Sequence, residues 1–376
     1  MVMSTLTESA VRGALSRVED PEIGRPITEL GMVKSISISG NDVAVEIYLT
    51  IAACPLKNTL INNAKAALEE IEGVGEVTVT TDVMSEEQRR ELRDKLRGHS
   101  DPIIPFAQPE STTRVFAVAS GKGGVGKSSM TVNLAAALAA RGLNVGILDA
   151  DIYGHSIPHM MGSDARPTRV DDMIMPPIAH GVKMISIAQF TEGNAPVVWR
   201  GPMLHRAIQQ FLSEVFWGDL DVLFMDLPPG TGDIAISVAQ LVPTAELLIV
   251  TTPQAAAAEV AERAGSISLQ THQRIAGVIE NMSAMVLPDG SIMDVFGSGG
   301  GDIVANRLHN LTGAAVPLLG EVPLDPKLRE GGDNGTPIVL AEPDSPTAQA
   351  LNSIANKLAI RSQSLLGKTL NLGVSR

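Results

Sequence analysis

Hydrophobic patterning sets the first part of the chain apart as a small mixed domain. Apolar residues recur at helical spacing over residues 4–18 and about 55–71, which predicts two amphipathic helices. Residues 32–40 and 42–50 alternate apolar and polar side chains around a Gly40-Asn41 turn, the pattern of a hairpin of half-buried strands. A third alternating strand over residues 76–81 completes an α+β domain.

The next stretch predicts a domain boundary. "SEEQRRELRDKLRG" is a charged helical sequence, and "HSDPIIPFAQPESTT" is rich in proline and serine with no periodicity. Aperiodic segments of that composition are typical of linkers. We therefore assign residues 1–95 to the small domain and residues 96–112 to a linker.

From about residue 113 the pattern changes to short, wholly apolar runs separated by longer Ala-rich helical ones. Such runs are typical of strands buried on both faces, and they predict a doubly wound, mostly parallel α/β sheet with ligands at the carboxyl ends of its strands. This domain is predicted over residues 113–361, with a weakly patterned tail over 362–376. The runs are "RVFAVAS", "NVGILDAD", "VKMISIA", "DVLFMDLP", "ELLIVTTP", "RIAGVIENM" and "AVPLLGEVP".

Composition and charge narrow the function classes. A length of 376 residues suits two domains. A formal net charge of −13 and a pI near 5.0 argue against a general nucleic-acid binder. The sequence starts with no basic and apolar leader and holds no apolar run of about 18 residues, so we expect a cytoplasmic protein that binds neither membrane nor nucleic acid.

A phosphate-binding loop is the strongest chemical motif. "GKGGVGKS", Gly121–Ser128, fits the G-x-x-x-x-G-K-[ST] pattern between an apolar strand and a helix. Glycines free the backbone N–H groups to wrap phosphate, Lys127 is expected to reach the β- and γ-phosphates, and Ser128 to bind Mg²⁺. The predicted nucleotide contacts are Gly121, Gly123, Gly124, Val125, Gly126, Lys127, Ser128 and Ser129.

Acidic residues at two strand ends support a nucleotide-hydrolysing site. Asp149 and Asp151 follow one apolar run, and Asp226 ends another. Each aspartate alone is an ordinary turn or cap residue. If the sheet brings the strand ends together beside the loop, Asp149 and Asp226 can hold Mg²⁺ through water, and the group can orient an attacking water.

The motifs together closely resemble the Mrp/ApbC branch of the deviant-Walker ATPases, which are relatives of MinD and ParA. The resemblance rests on "KGGVGKS", "LDADIYGHSIP", "WRGPM", "DLPPGTGD" and "TTPQ", with "DPEIG" and "AACPL" in the small domain resembling iron–sulfur assembly factors. It implies a homodimeric, slow ATP hydrolase that binds ATP and Mg²⁺. It further implies transfer of iron–sulfur clusters to apoproteins or work with assembly factors, and places the extra Lys122 across the dimer interface on the partner's nucleotide.

The same resemblance assigns the remaining roles. Asp149 and Asp151 belong to the switch that handles Mg²⁺ and water, and Asp226 is the second acidic residue of the metal site. Asn281 resembles the adenine-contacting asparagine. The switch segment is Gly230, Thr231 and Gly232, and Val322–Pro326, with Pro323, shapes the base pocket.

One family feature is missing. Most members of the resembling family carry a Cys-Pro-x-Cys pair after "IENMS", with which two protomers share a [4Fe–4S] cluster. Here Leu287 and Gly290 occupy the cysteine positions on either side of Pro288, and neither can ligate iron. Either cluster carriage is lost while the ATPase persists, or other ligands are used.

Cys54 is the one cysteine of the chain. Its place before a helix could favour a thiolate ligand, with Asp20 or Glu22 completing a site between protomers. A small buried structural role is the commoner fate of a free cysteine, and we favour it.

Other candidates have weaker support. His155 and His159 have metal-like spacing, but Pro158 interrupts the helix that this spacing requires. We expect Asp302 to be the N-cap of the next helix. Alternative functions are a positioning ATPase similar to MinD or ParA, and a nucleotide-gated scaffold without a cluster.

Overall fold

The computed structural model describes residues 6–50, 56–85, 87–89, 91–92, 103–151, 154, 156–170, 173–190, 201–230, 233–254, 263, 266–287 and 289–359. Its strands are β1 Val33–Ser39, β2 Asp42–Leu49, β3 Val77–Val83, β4 Arg114–Ala119, β5 Val145–Asp149, β6 Thr168–Val170, β7 Met173–Met175, β8 Ile178–Ala179, β9 Val182–Ser186, β10 Val222–Asp226, β11 Glu246–Thr251, β12 Ile275–Ser283, β13 Met285–Val286, β14 Ile292–Met293 and β15 Leu318–Pro323.

The helices within the described residues follow the same order. They are α1 Glu8–Leu15, α2 Lys57–Glu69, α3 Lys127–Ala139, α4 Ile157–Met160, α5 Gly201–Glu214, α6 Asp233–Leu241, α7 Gly300–Thr312, α8 Pro326–Asp333, α9 Ile338–Ala341 and α10 Pro346–Ala359, with short 3-10 helices at Pro105–Ala107 and Ile187–Phe190.

The chain forms two compact units that interleave along the sequence. The first comprises Met1–Thr113, Ser163–Ala179 and Lys183–Leu220, and the second comprises Arg114–Gly162, His180–Val182 and Asp221–Arg376. Most of residues 163–220 thus cluster with the first unit, although they lie within the range 113–361 predicted as one domain. The predicted domain bounds stay predictions.

The first unit contains the predicted α+β arrangement. Strands β1 and β2 pair antiparallel across the Gly40-Asn41 turn, and β2 pairs parallel with β3 through the crossover helix α2. Alternate residues of β2 are buried, which is the period expected of a sheet with one face on a core. Helix α1 begins after Thr7, whose hydroxyl accepts the Ala10 N–H, and it is shorter than the predicted 4–18 helix.

The described part of the proline-rich segment after the small domain packs through an aromatic side chain. Phe106, within the predicted linker, is buried and meets Trp217 edge to face with ring centroids 6.4 Å apart. The Trp217 indole N–H donates to the Phe211 carbonyl at 2.9 Å. The proline and serine content of the segment does not predict a buried aromatic contact of this kind.

The second unit confirms the α/β fold class. Six of its strands lie in the order β15-β12-β11-β4-β10-β5, and every neighbouring pair among them is parallel. Strands β5 and β10 are buried at every residue, which explains their wholly apolar sequences. Helix α3 is buried almost all round between Met130 and Leu138, so its small alanines allow close approach of the neighbouring elements.

No helix in the described part of the chain combines the length and apolar character that crossing a membrane requires.

Candidate functional site

The phosphate loop has the predicted strand, loop and helix geometry. It connects β4 to α3, and Gly126 is the N-cap of α3 with a φ of +81°. A side chain here would be strained, and a Cβ would come within 2.2 Å of Asn281 Nδ2. The N-terminus of a thirteen-residue helix therefore opens at Lys127, where its free N–H groups favour an anion.

Lys127 is held at the centre of the site by carboxylates. Its side chain is 6% exposed, and Nζ donates to Asp226 Oδ2 at 2.6 Å and lies 4.0 Å from Asp151 Oδ2. Ser128 Oγ donates to the same Asp226 oxygen at 2.6 Å, and Thr131 Oγ1 donates to Asp226 Oδ1 at 2.6 Å. The fully buried Asp226 is thus compensated by a cation and two hydroxyls, as a buried charge requires.

The sheet brings the predicted aspartates to one edge. Strand β10 lies between β4 and β5, and Asp226 is the register partner of Asp149. Asp149 Oδ1 accepts the Asp151 N–H at 3.1 Å, while Asp151 Oδ1 accepts the Gly154 N–H at 3.0 Å. Parallel strands end at a common edge, and this explains why residues 77 positions apart in the sequence meet.

The donor set fits Mg²⁺ bound together with a phosphate. Mg²⁺ takes oxygen ligands and is usually held by one or two carboxylates plus the phosphates of a substrate. Ser128 Oγ and the Asp226 carboxylate supply such oxygens beside the loop. Within the described ranges no group of three or more His, Cys, Asp or Glu residues could hold a metal ion.

Lys122 has a different partner from Lys127. Its Nζ donates to Gln254 Oε1 at 2.6 Å, just beyond the end of β11, and its carbonyl accepts from Ser120 Oγ at 3.0 Å. The Asp226 cluster is therefore assembled around Lys127, whereas Lys122 extends over the neighbouring strand end. Gln254 is the last residue of the "TTPQ" motif, and sequence reasoning gave it no role.

Asn281 offers an unused acceptor next to the loop. The residue is 2% exposed, and Nδ2 donates to the Val125 carbonyl at 2.9 Å. Its Oδ1 is buried and finds no hydrogen-bond partner among the described residues. Val322 is the register partner of Asn281, and Pro323 follows opposite Ser283. A buried orphan acceptor calls for a ligand donor, and an adenine amino group would supply one.

The segment after β10 is tied to the start of the loop. The Gly230 N–H donates to the Ser120 carbonyl at 2.8 Å, and Pro229 lies next to Gly123. Thr231 and Gly232, the rest of the predicted switch, lie outside the described residues, as do His155, Trp199 and Arg200.

The two positions that hold cysteines in the resembling family lie on a tight hairpin. Strands β13 and β14 pair antiparallel, and the Leu287 N–H donates to Ser291 while the Gly290 N–H donates to Leu287. An apolar side chain and a glycine provide no thiolate, so this hairpin does not fit an iron–sulfur cluster. Pro288 and Cys54 lie outside the described residues.

Asp20 serves the backbone of its own turn. Its Oδ1 accepts the N–H groups of Glu22 and Ile23, both at 2.9 Å. Burial raises the pKa of the Asp20 carboxyl above its ordinary value, although these two bonds lower it. These contacts explain the "DPEIG" motif as a local turn.

Two further side chains complete the site without having been predicted. Thr131 lies one helical turn after Lys127, so the i,i+4 spacing was the available signal. Glu280 accepts the Gly301 N–H at 2.5 Å and so caps α7. The expectation that Asp302 is the N-cap is wrong, because α7 begins at Gly300 after Gly299 and Asp302 lies within its first turn.

The fold and the phosphate loop define a P-loop NTPase. Two family models match the chain, one described as a NUBPL iron-transfer P-loop NTPase over residues 111–359 and one as an iron–sulfur cluster assembly protein over residues 8–79. The chain belongs to the iron–sulfur cluster carrier family, as the resemblance implied.

Relatives that match nearly the whole length of the chain support this family assignment. An iron–sulfur cluster carrier protein of Mycobacterium bovis is 65% identical over 371 residues, covering 98% of this chain and 97% of its own length. One of Deinococcus radiodurans is 44% identical over 353 residues, covering 93% and 94%. A solved structure of a nucleotide-binding protein from Archaeoglobus fulgidus in complex with ADP is 33% identical, with a TM-score of 0.54, and covers 70% of this chain and 96% of that one.

Proposed function

We propose that the protein is a dimeric, Mg²⁺-dependent ATPase whose nucleotide state controls the delivery of iron–sulfur clusters to apoproteins. The observation that carries this proposal is the buried Asn281 amide, which is fixed to the phosphate loop through Val125 and keeps its acceptor oxygen free. An oxygen in that setting selects a base with an amino donor, and the adjacent helix N-terminus selects phosphate.

Binding of ATP would exchange the partners of Lys127. In the described arrangement the ammonium neutralises Asp226 at 2.6 Å. A β- or γ-phosphate can take over that cation, while Ser128 and Thr131 still donate to Asp226. A buried carboxylate therefore keeps hydrogen-bond donors throughout, which avoids the large cost of an uncompensated charge.

The remaining residues of the site also have proposed roles. Ser128 and Asp226, with Asp149 behind them, would hold Mg²⁺, which when bound supplies positive charge against the phosphate oxygens. Asp151, 4.0 Å from Lys127 Nζ, would orient the attacking water. Asn281 and Pro323 would form walls of the pocket around the adenine base.

Lys122 is proposed to complete the site of a second copy. The lysine contacts Gln254 and takes no part in the cluster around Asp226. A cation at the protein surface beside the loop is available to a partner's phosphates, and its charge would then be supplied only in the dimer. Hydrolysis would in that way depend on assembly.

Cluster transfer is proposed because of the family to which the chain belongs. The residues of this chain limit the ways in which it could hold a cluster. The relatives are iron–sulfur cluster carrier proteins, but the hairpin at Leu287 and Gly290 offers no thiolate. Cargo would therefore be held through Cys54 or by a partner protein whose contact with this chain the nucleotide controls.

The nucleotide part is tested by equilibrium ATP binding and single-turnover hydrolysis. Lys127→Gln keeps a hydrogen-bond donor for Asp226 but loses the charge, so we expect ATP affinity to fall by about tenfold or more. Lys65→Gln is the matched control, since Lys65 is an exposed lysine of α2 paired with Glu69. ATP affinity unchanged in Lys127→Gln would contradict the proposal, and tight binding without turnover in the natural protein would favour the gated scaffold.

The cargo part is tested by iron and sulfide content after anaerobic reconstitution. Clusters retained by the natural protein and lost in Cys54→Ala would support direct carriage through that residue. Absence of iron in both would contradict direct carriage and leave an ATPase that acts through protein partners.

A further inference from the structure

A cavity of about 450 Å³ lies within the first unit, and none of its lining residues belongs to the nucleotide site. Its walls come from β6, β7, the 3-10 helix at Ile187–Phe190 and one face of α5. The Phe216 N–H donates to the Ile174 carbonyl at 2.8 Å, so the end of α5 is joined to β7. The volume is within the range of about 300–1,000 Å³ typical of small-molecule sites.

Most of the lining is apolar. Met203, Ala207 and Phe211 follow one another at intervals of four residues along α5 and so share a face. Phe190 stacks on Phe211 with centroids 5.3 Å apart and an interplanar angle of 24°. Met203 is nevertheless 50% exposed and Phe190 is 42% exposed. Large apolar side chains left in water at a concave surface favour a ligand with an apolar body.

Among the described residues of the lining, all the charge is positive. Arg169 and Arg206 line the cavity, and no acidic residue of the described ranges does. Neither arginine forms an ion pair with any residue in those ranges. In a chain with a formal net charge of −13, two guanidinium groups beside an apolar cavity favour an anionic ligand head.

The neutral polar capacity of the cavity is small. Among the described residues of the lining, Gln210 is the one that is polar and uncharged, and its Nε2 already donates to Glu214 Oε2 at 2.7 Å. A sugar or a nucleoside would leave most of its hydroxyl and ring nitrogen groups without partners, which costs free energy. The chemistry of the lining therefore disfavours a polar ligand and leaves an amphiphilic anion.

We propose that this cavity binds a small organic carboxylate with an apolar acyl body. Arg169 and Arg206 would receive the carboxylate through their paired N–H donors. The acyl body would lie against Ile174, Ile187 and the Phe190–Phe211 pair and cover the exposed Met203. The site gives the carrier a second, non-nucleotide ligand.

The test is titration calorimetry on the full chain with decanoate, below the concentration at which it forms micelles, and with 1-decanol as the uncharged match. We expect decanoate to bind at one site per chain and at least about tenfold more tightly than decanol. Arg206→Met and Arg169→Met keep an apolar stem, and each should weaken decanoate about tenfold while leaving decanol unchanged. Arg329→Met removes an exposed arginine of α8 and should change neither.

Equal binding of decanoate and decanol, equal loss in Arg329→Met, or no binding at all would overturn the proposal. Ala207→Phe should fill the cavity and abolish decanoate binding with an unchanged far-UV circular dichroism spectrum. If that variant fails to fold, the two arginine variants decide. Sedimentation at rising protein concentration tests whether a second copy of the chain occupies the cavity instead. A dimer that does not bind decanoate, and that dissociates in Arg206→Met, would show that the cavity is an interface between copies.

Discussion

Asn281 carries two amide atoms with different surroundings next to the phosphate loop. Its Nδ2 donates to the Val125 carbonyl, and its Oδ1 has no hydrogen-bond partner among the described residues. Because Nδ2 would lie 2.2 Å from any Cβ at position 126, the contact also depends on a glycine there. The loop glycine and the distant asparagine therefore act as a pair, although 155 positions separate them.

Asn281→Ala should reduce discrimination between bases. Adenine carries an amino donor where hypoxanthine carries a carbonyl, so the natural protein should bind ADP more tightly than IDP. We expect the variant to lose about tenfold of that ratio, the effect of one buried hydrogen bond. The ratio of the Kd values for the two nucleotides is insensitive to a general disturbance of the loop, because such a disturbance weakens both alike. An unchanged ratio would show that Asn281 does not read the base.

The positions of the charged residues at the phosphate loop were largely predictable, while their chemical roles stay predictions. Lys127, Ser128, Asp149, Asp151 and Asp226 stand where the motif and strand ends imply, since parallel strands share one edge. Gln254 and Glu280 were missed because their roles depend on tertiary neighbours that no spacing reveals, whereas the i,i+4 spacing from Lys127 could have indicated Thr131. Asp302 was misassigned because glycines can begin a helix when a distant carboxylate supplies the cap.

At the scale of elements, the turn into α3 depends on Gly126. A φ of +81° would cost any L-amino acid at this position about 1–2 kcal/mol. The Cβ of that residue would also meet Asn281. Gly142 has nearly the same φ of +84° but nothing within 4 Å of its Cβ position. It is therefore a matched control for the strain alone.

Gly126→Ala should lower the free energy of unfolding more than Gly142→Ala does. The control should lose about 1 kcal/mol, and the loop variant should lose that amount plus the cost of displacing Asn281. Urea unfolding without nucleotide measures both. Equal losses would show that the contact between the loop and Asn281 contributes nothing to stability.

Glu280 couples β12 to the start of α7. Burial raises the pKa of its carboxyl above the ordinary value, neighbouring Glu321 and Asp302 raise it further, and the Gly301 N–H lowers it. A raised pKa in the folded state means that the folded protein holds the proton more tightly than the unfolded chain. Its stabilising contribution is present at low pH and is lost as pH rises through the folded-state pKa.

Glu280→Gln should therefore change how stability depends on pH. The amide keeps an acceptor for Gly301 but does not ionise. Relative to the variant, the natural protein should lose stability as pH rises through the range above about 4, where an ordinary glutamate ionises. Urea midpoints across that range measure the difference, and Glu110→Gln at an exposed position controls for net charge. A difference that is constant with pH, or that changes in the opposite direction, would contradict the assignment.

The long elements were predictable and the short ones were not. Apolar runs located β4, β5, β9, β10, β11, β12 and β15, because burial on both faces leaves a continuous signal. Strands β6, β7, β8, β13 and β14 have only two or three residues, too few for periodicity. The order of strands in the sheet was beyond reach as well, since each apolar run is compatible with several neighbours.

At the scale of the whole molecule, the sequence divides into two functional parts. The family matches at residues 8–79 and 111–359 agree with the change of pattern along the chain. The predicted boundaries at 95 and 113 stay predictions, because the compact units interleave at residues 163–220. The hairpin at Leu287 and Gly290 carries no thiolate, whereas Lys127 and Asp226 are paired at the phosphate loop. The proposed ATPase activity can therefore be tested without any cluster.

The central claim is that two copies of the chain form composite ATPase sites. Lys122→Ala and Asp151→Asn should each abolish single-turnover hydrolysis. After subunit exchange in an equimolar mixture, half of the dimers are mixed, and in each of these one site combines an intact Asp151 with the partner's Lys122. We predict recovery of about a quarter of the activity of the natural protein. No recovery, with mixed dimers present, would show that Lys122 acts within its own chain and would contradict the composite site.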